Sequence, residues 1–152
     1  MNLESFETKH IKNSAAEKSN IYGKKEQSII CLEEFKYANR EISSWPDYAP
    51  TPLVHLSGIA NYLRLGSLFH KDEGYRFELQ SFKALGGAYA VEKVTKGNKD
   101  IIVSTATAGN HGRSVAWGSK KLGLKCKIFI SEYVSEFRAK VMRSFGADVI
   151  RV

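Results

Sequence analysis

The stretch DIIVSTATAGNHGRSVAWGSKKLGLKCKIFISEYVSEFRAKVMRSFGADVIRV, residues 100–152, decides the architecture. DIIVST, KCKIFI and ADVIRV are short apolar runs of strand length. Between the first two, the segment from His111 to Leu122 places Val115, Ser119 and Leu122 on one helical face. Gly123 stands just past its end, where a left-handed residue closes a helix. Before the third run, Ser135 is the expected N-cap of a helix whose Phe137, Val141 and Phe145 recur every four residues, with Gly146 ending it. Strand, helix, glycine, strand, read twice, is the pattern of βαβ units. It predicts an α/β fold: an open parallel sheet flanked by helices, with right-handed crossovers.

Upstream, SFKALGGAYAVEKVTKG (81–97) predicts a helix with Leu85, Ala88, Val91 and Val94 inward, stopped at Gly97. Its Gly86-Gly87 pair weakens it by roughly 1 kcal/mol per residue relative to alanine. SLFHKD (67–72) reads as a buried strand, and LVHLSGIANYLRLG (53–66) as a short strand followed by a short helix. WPDYAPTPL (45–53) carries three prolines within seven residues and is held to extended and turn conformations. Residues 31–43 have a modest helical pattern. Residues 1–30 are polar and without period, and are expected to form a mobile arm ahead of a single domain over 31–152.

With 152 residues the chain can bury one ordinary core. No apolar run approaches membrane-spanning length, and no apolar block marks a secretion signal, so a cytoplasmic location is expected. Cys31 and Cys126 have neither a CxxC spacing nor a partner histidine. They read as ordinary thiols, and no metal site is expected. The formal charge is +7, most of its excess lying after residue 110 on cations that include Arg113, Lys120, Lys121, Lys125, Lys127, Arg138, Lys140 and Arg143. These cations sit at helix-surface spacing without interleaved aromatics, which reads as a solvated face rather than a nucleic-acid surface.

Two stretches carry chemistry. Parallel sheets bind ligands beyond the carboxyl ends of their strands, where TATAGNHG (105–112) lies. Small residues there let a ligand approach the backbone, and a following helix start offers N–H groups to an anion. The stretch does not fit GxGxxG or the phosphate-loop lysine motif, so dinucleotides and nucleoside triphosphates are disfavoured. The second stretch centres on Lys83, flanked by Phe82, Ala84 and Leu85 with no carboxylate beside it. An apolar pocket disfavours the ammonium form and leaves a nucleophilic amine able to trap an aldehyde. Gly86 and Gly87 are expected to let a flat ring lie close.

SFKALGGAYA and TAGNHGR together resemble pyridoxal-phosphate enzymes of the tryptophan-synthase-β fold, in which a Ser-x-Lys segment bears the Schiff-base lysine. YAPTPLVHLS (48–57), KDEGYRFELQSFKALGGAYA (71–90) and TATAGNHGRSVAW (105–117) are most similar to the diaminopropionate ammonia-lyases. The resemblance implies pyridoxal 5'-phosphate as cofactor, with Lys83 catalytic and holding it, and Asn110 donating to its 3′-oxygen. Thr107, Ala108, Gly109 and His111 would receive the substrate carboxylate. Tyr89, Asp72, Glu73 and Arg76 would be scaffold for the lysine segment. The implied reaction is α,β-elimination from 2,3-diaminopropionate, giving pyruvate and ammonia. The implied partners are a small amino acid substrate and, in the full-length family, a second copy in a homodimer, with neither nucleic acid nor membrane. A serine or threonine dehydratase of the same fold is the alternative lyase.

Three positions depart from that pattern. Ala108 stands where an aspartate would serve as proton acceptor for the D-isomer. Glu78 stands where glycine is usual, and strains the loop if the backbone there needs positive φ. Gln80 replaces asparagine. The sequence also ends at Val152, upstream of the glycine-rich phosphate loop this fold uses. The expectation is therefore a truncated N-terminal part, inactive alone, or a non-catalytic remnant of an interrupted gene.

Overall fold

The computed structural model describes residues 11–15 and 21–152. The arm expected over residues 1–30 therefore lies partly outside the described residues. The chain divides into two units, one ending at Phe35 and one covering Lys36–Val152. In the first, the single turn α1 (Lys24–Gln27) is fixed by the Tyr22 hydroxyl, which donates to the Ile30 carbonyl at 2.6 Å.

Helix α2 (Leu32–Ser43) leads into the proline-rich segment, followed by β1 (Leu53–His55), α3 (Ser57–Tyr62) and β2 (Phe69–Lys71). Strands β1 and β2 pair antiparallel, with His55 stacked on Phe69 at 4.8 Å. Both strands are exposed along their length, so the buried strand expected at 67–72 is instead half of a surface hairpin. Then come α4 (Lys83–Thr95), β3 (Ile102–Ala106), α5 (Asn110–Leu122), β4 (Lys125–Ile130), α6 (Glu136–Ser144) and β5 (Asp148–Arg151).

The parallel sheet has the order β3-β4-β5, with Val103 beside Cys126 and Ile128 beside Val149. Alternation along β4 buries Cys126, Ile128 and Ile130 beneath the helices and leaves Lys125 and Lys127 outward. Helices α5 and α6 close at residues with positive φ, Gly123 (67°) and Gly146 (81°), as their sequences require. Burial raises the Cys126 thiol above its ordinary range, consistent with an inert core cysteine.

Helix faces differ from the periodic reading in two places. In α4 the buried residues are Ala84, Ala88, Val91 and Thr95, while Val94 is 78% exposed. The reason is its partner: α4 packs on α5 through small residues, and a Cβ at Gly118 would lie 2.7 Å from the Ala88 Cα. Close backbone approach, rather than side-chain bulk, sets that face. In α6, Ala139 and Met142 are buried and Phe137 is exposed, because the inner stripe runs through residues 139, 142 and 145. Ser135 occupies the N-cap position of α6, but its side chain makes no capping hydrogen bond.

The segment before the lysine is clamped on α5 by an aromatic cluster. Trp117 meets Phe77 at 4.9 Å and Trp45 edge-on at 6.0 Å, and the Trp45 indole donates to Glu92. Lys121 places its ammonium 3.9 Å over Trp45, and burial lowers its pKa. Part of the basic excess is thus packed; Arg138, Lys140 and Arg143 are exposed.

Candidate functional site

Lys83 opens α4 and Asn110 opens α5. The two helix starts are joined by a hydrogen bond from the Ser114 hydroxyl to the Lys83 carbonyl, 2.5 Å long. Ser114 is fully buried. It lies one turn after Asn110, so Asn110 is on the same helical face. A Cβ on Gly87 would lie 2.1 Å from the Ser114 Oγ, so Gly87 is what lets Ser114 reach across. The two glycines after the lysine therefore divide their work. Gly87 serves the helix contact, and only Gly86, with open space around it, leaves room for a ligand.

Lys83 itself is exposed, its ammonium 5.0 Å from the Phe82 ring. The apolar pocket expected around it does not form among the described residues. Its flanking apolar side chains diverge: Ala84 turns into the core while Phe82 turns out to solvent.

The lysine segment is held from below by an ion-pair network. Arg76, 5% exposed, donates to both carboxylate oxygens of Glu73 (2.9 and 3.0 Å), to the Ala49 carbonyl and to the Thr51 hydroxyl. Thr51 in turn donates to Glu73 at 2.6 Å. The Arg76 hydrogen bond, helped by Thr51, lowers the Glu73 pKa to about 2 against the opposing effect of burial. Glu73 and Arg76 are thus scaffold, as expected. The loop they anchor has left-handed residues at Phe77 (φ 47°) and Gln80 (φ 54°) and none at Glu78. Glutamate at 78 costs no backbone strain; the strained positions are its neighbours.

At the carboxyl end of β3 the Thr107 N–H bonds the Phe129 carbonyl, and Gly109 has extended backbone (φ −126°) before α5 begins. No side chain caps α5, so its first-turn N–H groups remain for an outside acceptor. A Cβ on Gly109 would meet nothing within 4 Å. Gly112 is the packing glycine, where a Cβ would press on Met142 and Thr107. Ala108, Gly109, Asn110 and Arg113 line a cleft of about 310 Å³ with the start of α6. His111 lines a separate groove along β3 with Val91 and Val115, and Lys83 and Thr107 line neither. The arrangement thus groups Ala108, Gly109 and Asn110 and sets His111 apart.

Arg113 and Ser114 carry the links to the lysine segment, and sequence reasoning missed both. Arg113 donates to the Leu79 carbonyl at 2.9 Å and to the Asn110 Oδ1 at 3.2 Å. No local pattern marks contacts across 31 and 34 residues; their position directly after GNHG was the available signal. Among the described residues no His, Cys, Asp or Glu cluster could hold a metal, and no helix is long and apolar enough to cross a membrane.

Residues 45–152, more than half of the chain, match the family model described as pyridoxal-phosphate dependent enzyme. The diaminopropionate ammonia-lyase of Salmonella typhimurium is 39% identical over 125 residues, covering 68% of this chain and 31% of that protein. The catabolic L-threonine dehydratase of Staphylococcus aureus is 29% identical, covering 80% of this chain and 34% of its own length. The crystal structure of Escherichia coli diaminopropionate ammonia lyase in apo form superimposes with a TM-score of 0.74 at 31% identity, over 79% of this chain and 37% of that one. The chain spans about a third of the length of the curated relatives it matches.

Proposed function

The chain belongs to the pyridoxal-phosphate dependent enzymes, and from that premise we propose that it carries the lysine-bearing part of a carbon–nitrogen lyase acting on 2,3-diaminopropionate. The observation that carries the reading is the Ser114–Lys83 hydrogen bond, which holds the backbone at the start of α4, where the exposed Lys83 stands, against the first turns of α5, whose start is uncapped. The residues fit the cofactor in kind: an accessible amine for an aldehyde, an amide donor, and free helix N–H groups for an anion. The 39% identity to an ammonia-lyase supports the substrate class over that of the dehydratases.

In this reading Lys83 Nζ holds the cofactor and afterwards moves the substrate α-proton. Asn110 directs its NH₂ to the ring 3′-oxygen, and the backbone of Ala108 to His111 orients the substrate carboxylate. Pyridoxal phosphate, when bound, supplies the electron sink that makes loss of the α-proton feasible. With one water consumed, the overall products are pyruvate and two ammonia. Ala108 has no group to take a proton, so the L-isomer is the expected substrate.

Pyruvate release from L- and D-diaminopropionate, with L-serine and L-threonine as controls, tests the substrate. Any turnover is expected on L-diaminopropionate alone; preference for threonine would replace this reading with the dehydratase one, and D-isomer turnover would remove the role given to position 108. One observation favours a second reading for the chain on its own. Lys83 is exposed, and catalysis needs water excluded around the reacting amine. Cofactor capture without turnover is the outcome that reading expects.

A further inference from the structure

We infer that Arg113 is a positioning residue, which fixes the Asn110 side chain as a hydrogen-bond donor and ties it to the lysine segment. The inference deepens the proposed function and rests on it for the identity of the group that Asn110 meets. A guanidinium donates through every nitrogen and accepts through none. The Arg113 Nη1 contact at 3.2 Å therefore selects the Oδ1 of Asn110 and leaves its NH₂ without a protein acceptor among the described residues. The same guanidinium holds the Leu79 carbonyl with Nη2 at 2.9 Å. Leu79 is fully buried and lies in the loop four residues before Lys83. One planar fork thus spans the loop that presents the amine and the helix start that presents the amide. A lysine, a point donor, has no such fork.

The remaining nitrogen argues that the fork is what the position is for. Arg113 Nε is buried and has no acceptor. An apolar side chain of similar length would fill that space without burying an unpaired donor. The guanidinium bears this cost while making its two directed contacts. Without it, an Asn110 amide at the exposed start of α5 is free to turn either its oxygen or its nitrogen toward a ligand.

The test has one readout that needs no cofactor. In the ¹⁵N-labelled 152-residue chain, side-chain NH₂ relaxation of Asn110 is compared with that of exposed Asn39 and Asn61. Asn110 is expected to be ordered in the parent chain and to fall to the level of the other two in Arg113→Met. In Arg113→Lys, which keeps the charge where the methionine variant fails to fold, it falls part of the way. An Asn110 amide as mobile as Asn39 and Asn61 in the parent chain, or unchanged in both variants, overturns the inference. The second readout is a double-mutant cycle in pyridoxal phosphate affinity. Asn110→Ala is expected to weaken binding roughly three- to tenfold in the parent chain and about twofold or less in Arg113→Met; full additivity overturns the link to the cofactor. Absence of any borohydride-fixed label on Lys83 in the parent chain sinks the proposed function instead, and the relaxation data still decide the role of Arg113.

Discussion

Two regions of this molecule are built from the same small residues and do opposite things with them. Along the seam between α4 and α5, Gly87, Ala88, Ser114 and Gly118 bring two helix backbones together until no methyl group can be added. At the carboxyl end of the sheet, Ala108 and Gly109 border a cleft of about 310 Å³ and a Cβ at Gly109 meets open space. Composition alone does not separate them. The difference lies in what the neighbouring backbone does: paired helices converge at the seam, whereas the chain at Gly109 leaves β3 before α5 starts. The seam uses smallness to hold Lys83 in place, and the cleft uses it to stay open.

The comparison breaks most sharply at Gly118. Gly118→Val pushes a branched side chain into the Ala88 backbone, and a loss of about 3 kcal/mol or more is expected in urea unfolding. Ordinary stability in that variant would mean the seam is not close-packed. Next in size is the support beneath the lysine. Glu73→Gln leaves the buried Arg76 without its counter-charge and should cost roughly 2–4 kcal/mol. Glu73 also gives a pH window. Its pKa is lowered on folding from the ordinary carboxylate value of 4.5 to about 2, so its stabilisation is complete above about 4.5 and fades as pH falls through 2. The parent chain should lose stability across that window more steeply than Glu73→Gln, and parallel acid profiles would contradict the assignment.

These elements also show how far the sequence could be read. The βαβ pattern was legible because Cys126, Ile128 and Ile130 alternate with Lys125 and Lys127, and because Gly123 and Gly146 stand where left-handed closure is needed. The inward face of α4 was legible only at Ala88 and Val91, since a stripe that also runs through Ala84 and Gly87 has little hydrophobic signal. Its apolar Val94 is instead on the surface. Lys83 and Asn110 were singled out as candidates through the quoted motifs. Arg113 and Ser114 were not, because their partners lie in a loop and a helix start that only the packing of α4 on α5 brings near. The motif residues are legible locally, and the links between them come from tertiary contact.

Two smaller effects sharpen the contrast. Gln80 has φ 54° in the loop before Lys83, so Gln80→Gly should raise stability by about 0.5–1 kcal/mol if left-handed strain outweighs glycine's added unfolded-state freedom. A melting temperature that falls instead would show that the Gln80 side chain contributes more than its backbone costs. Gly109→Ala should change stability by no more than about 0.5 kcal/mol, since its backbone is extended and the space is empty. It should nonetheless weaken binding of pyridoxal phosphate and of substrate carboxylate, because the added methyl stands where a ligand would approach. A large stability loss there would place Gly109 with the seam glycines.

We propose that the start of α4, braced by Ser114 and Arg113, presents Lys83 to pyridoxal phosphate. Incubating the chain with substoichiometric pyridoxal phosphate, reducing with borohydride and mapping the label by mass spectrometry tests this directly. A pyridoxyl group is expected on Lys83 ahead of every other lysine, with the Lys83→Ala variant losing that preference. Label spread evenly over the surface lysines, or missing from Lys83, would contradict it.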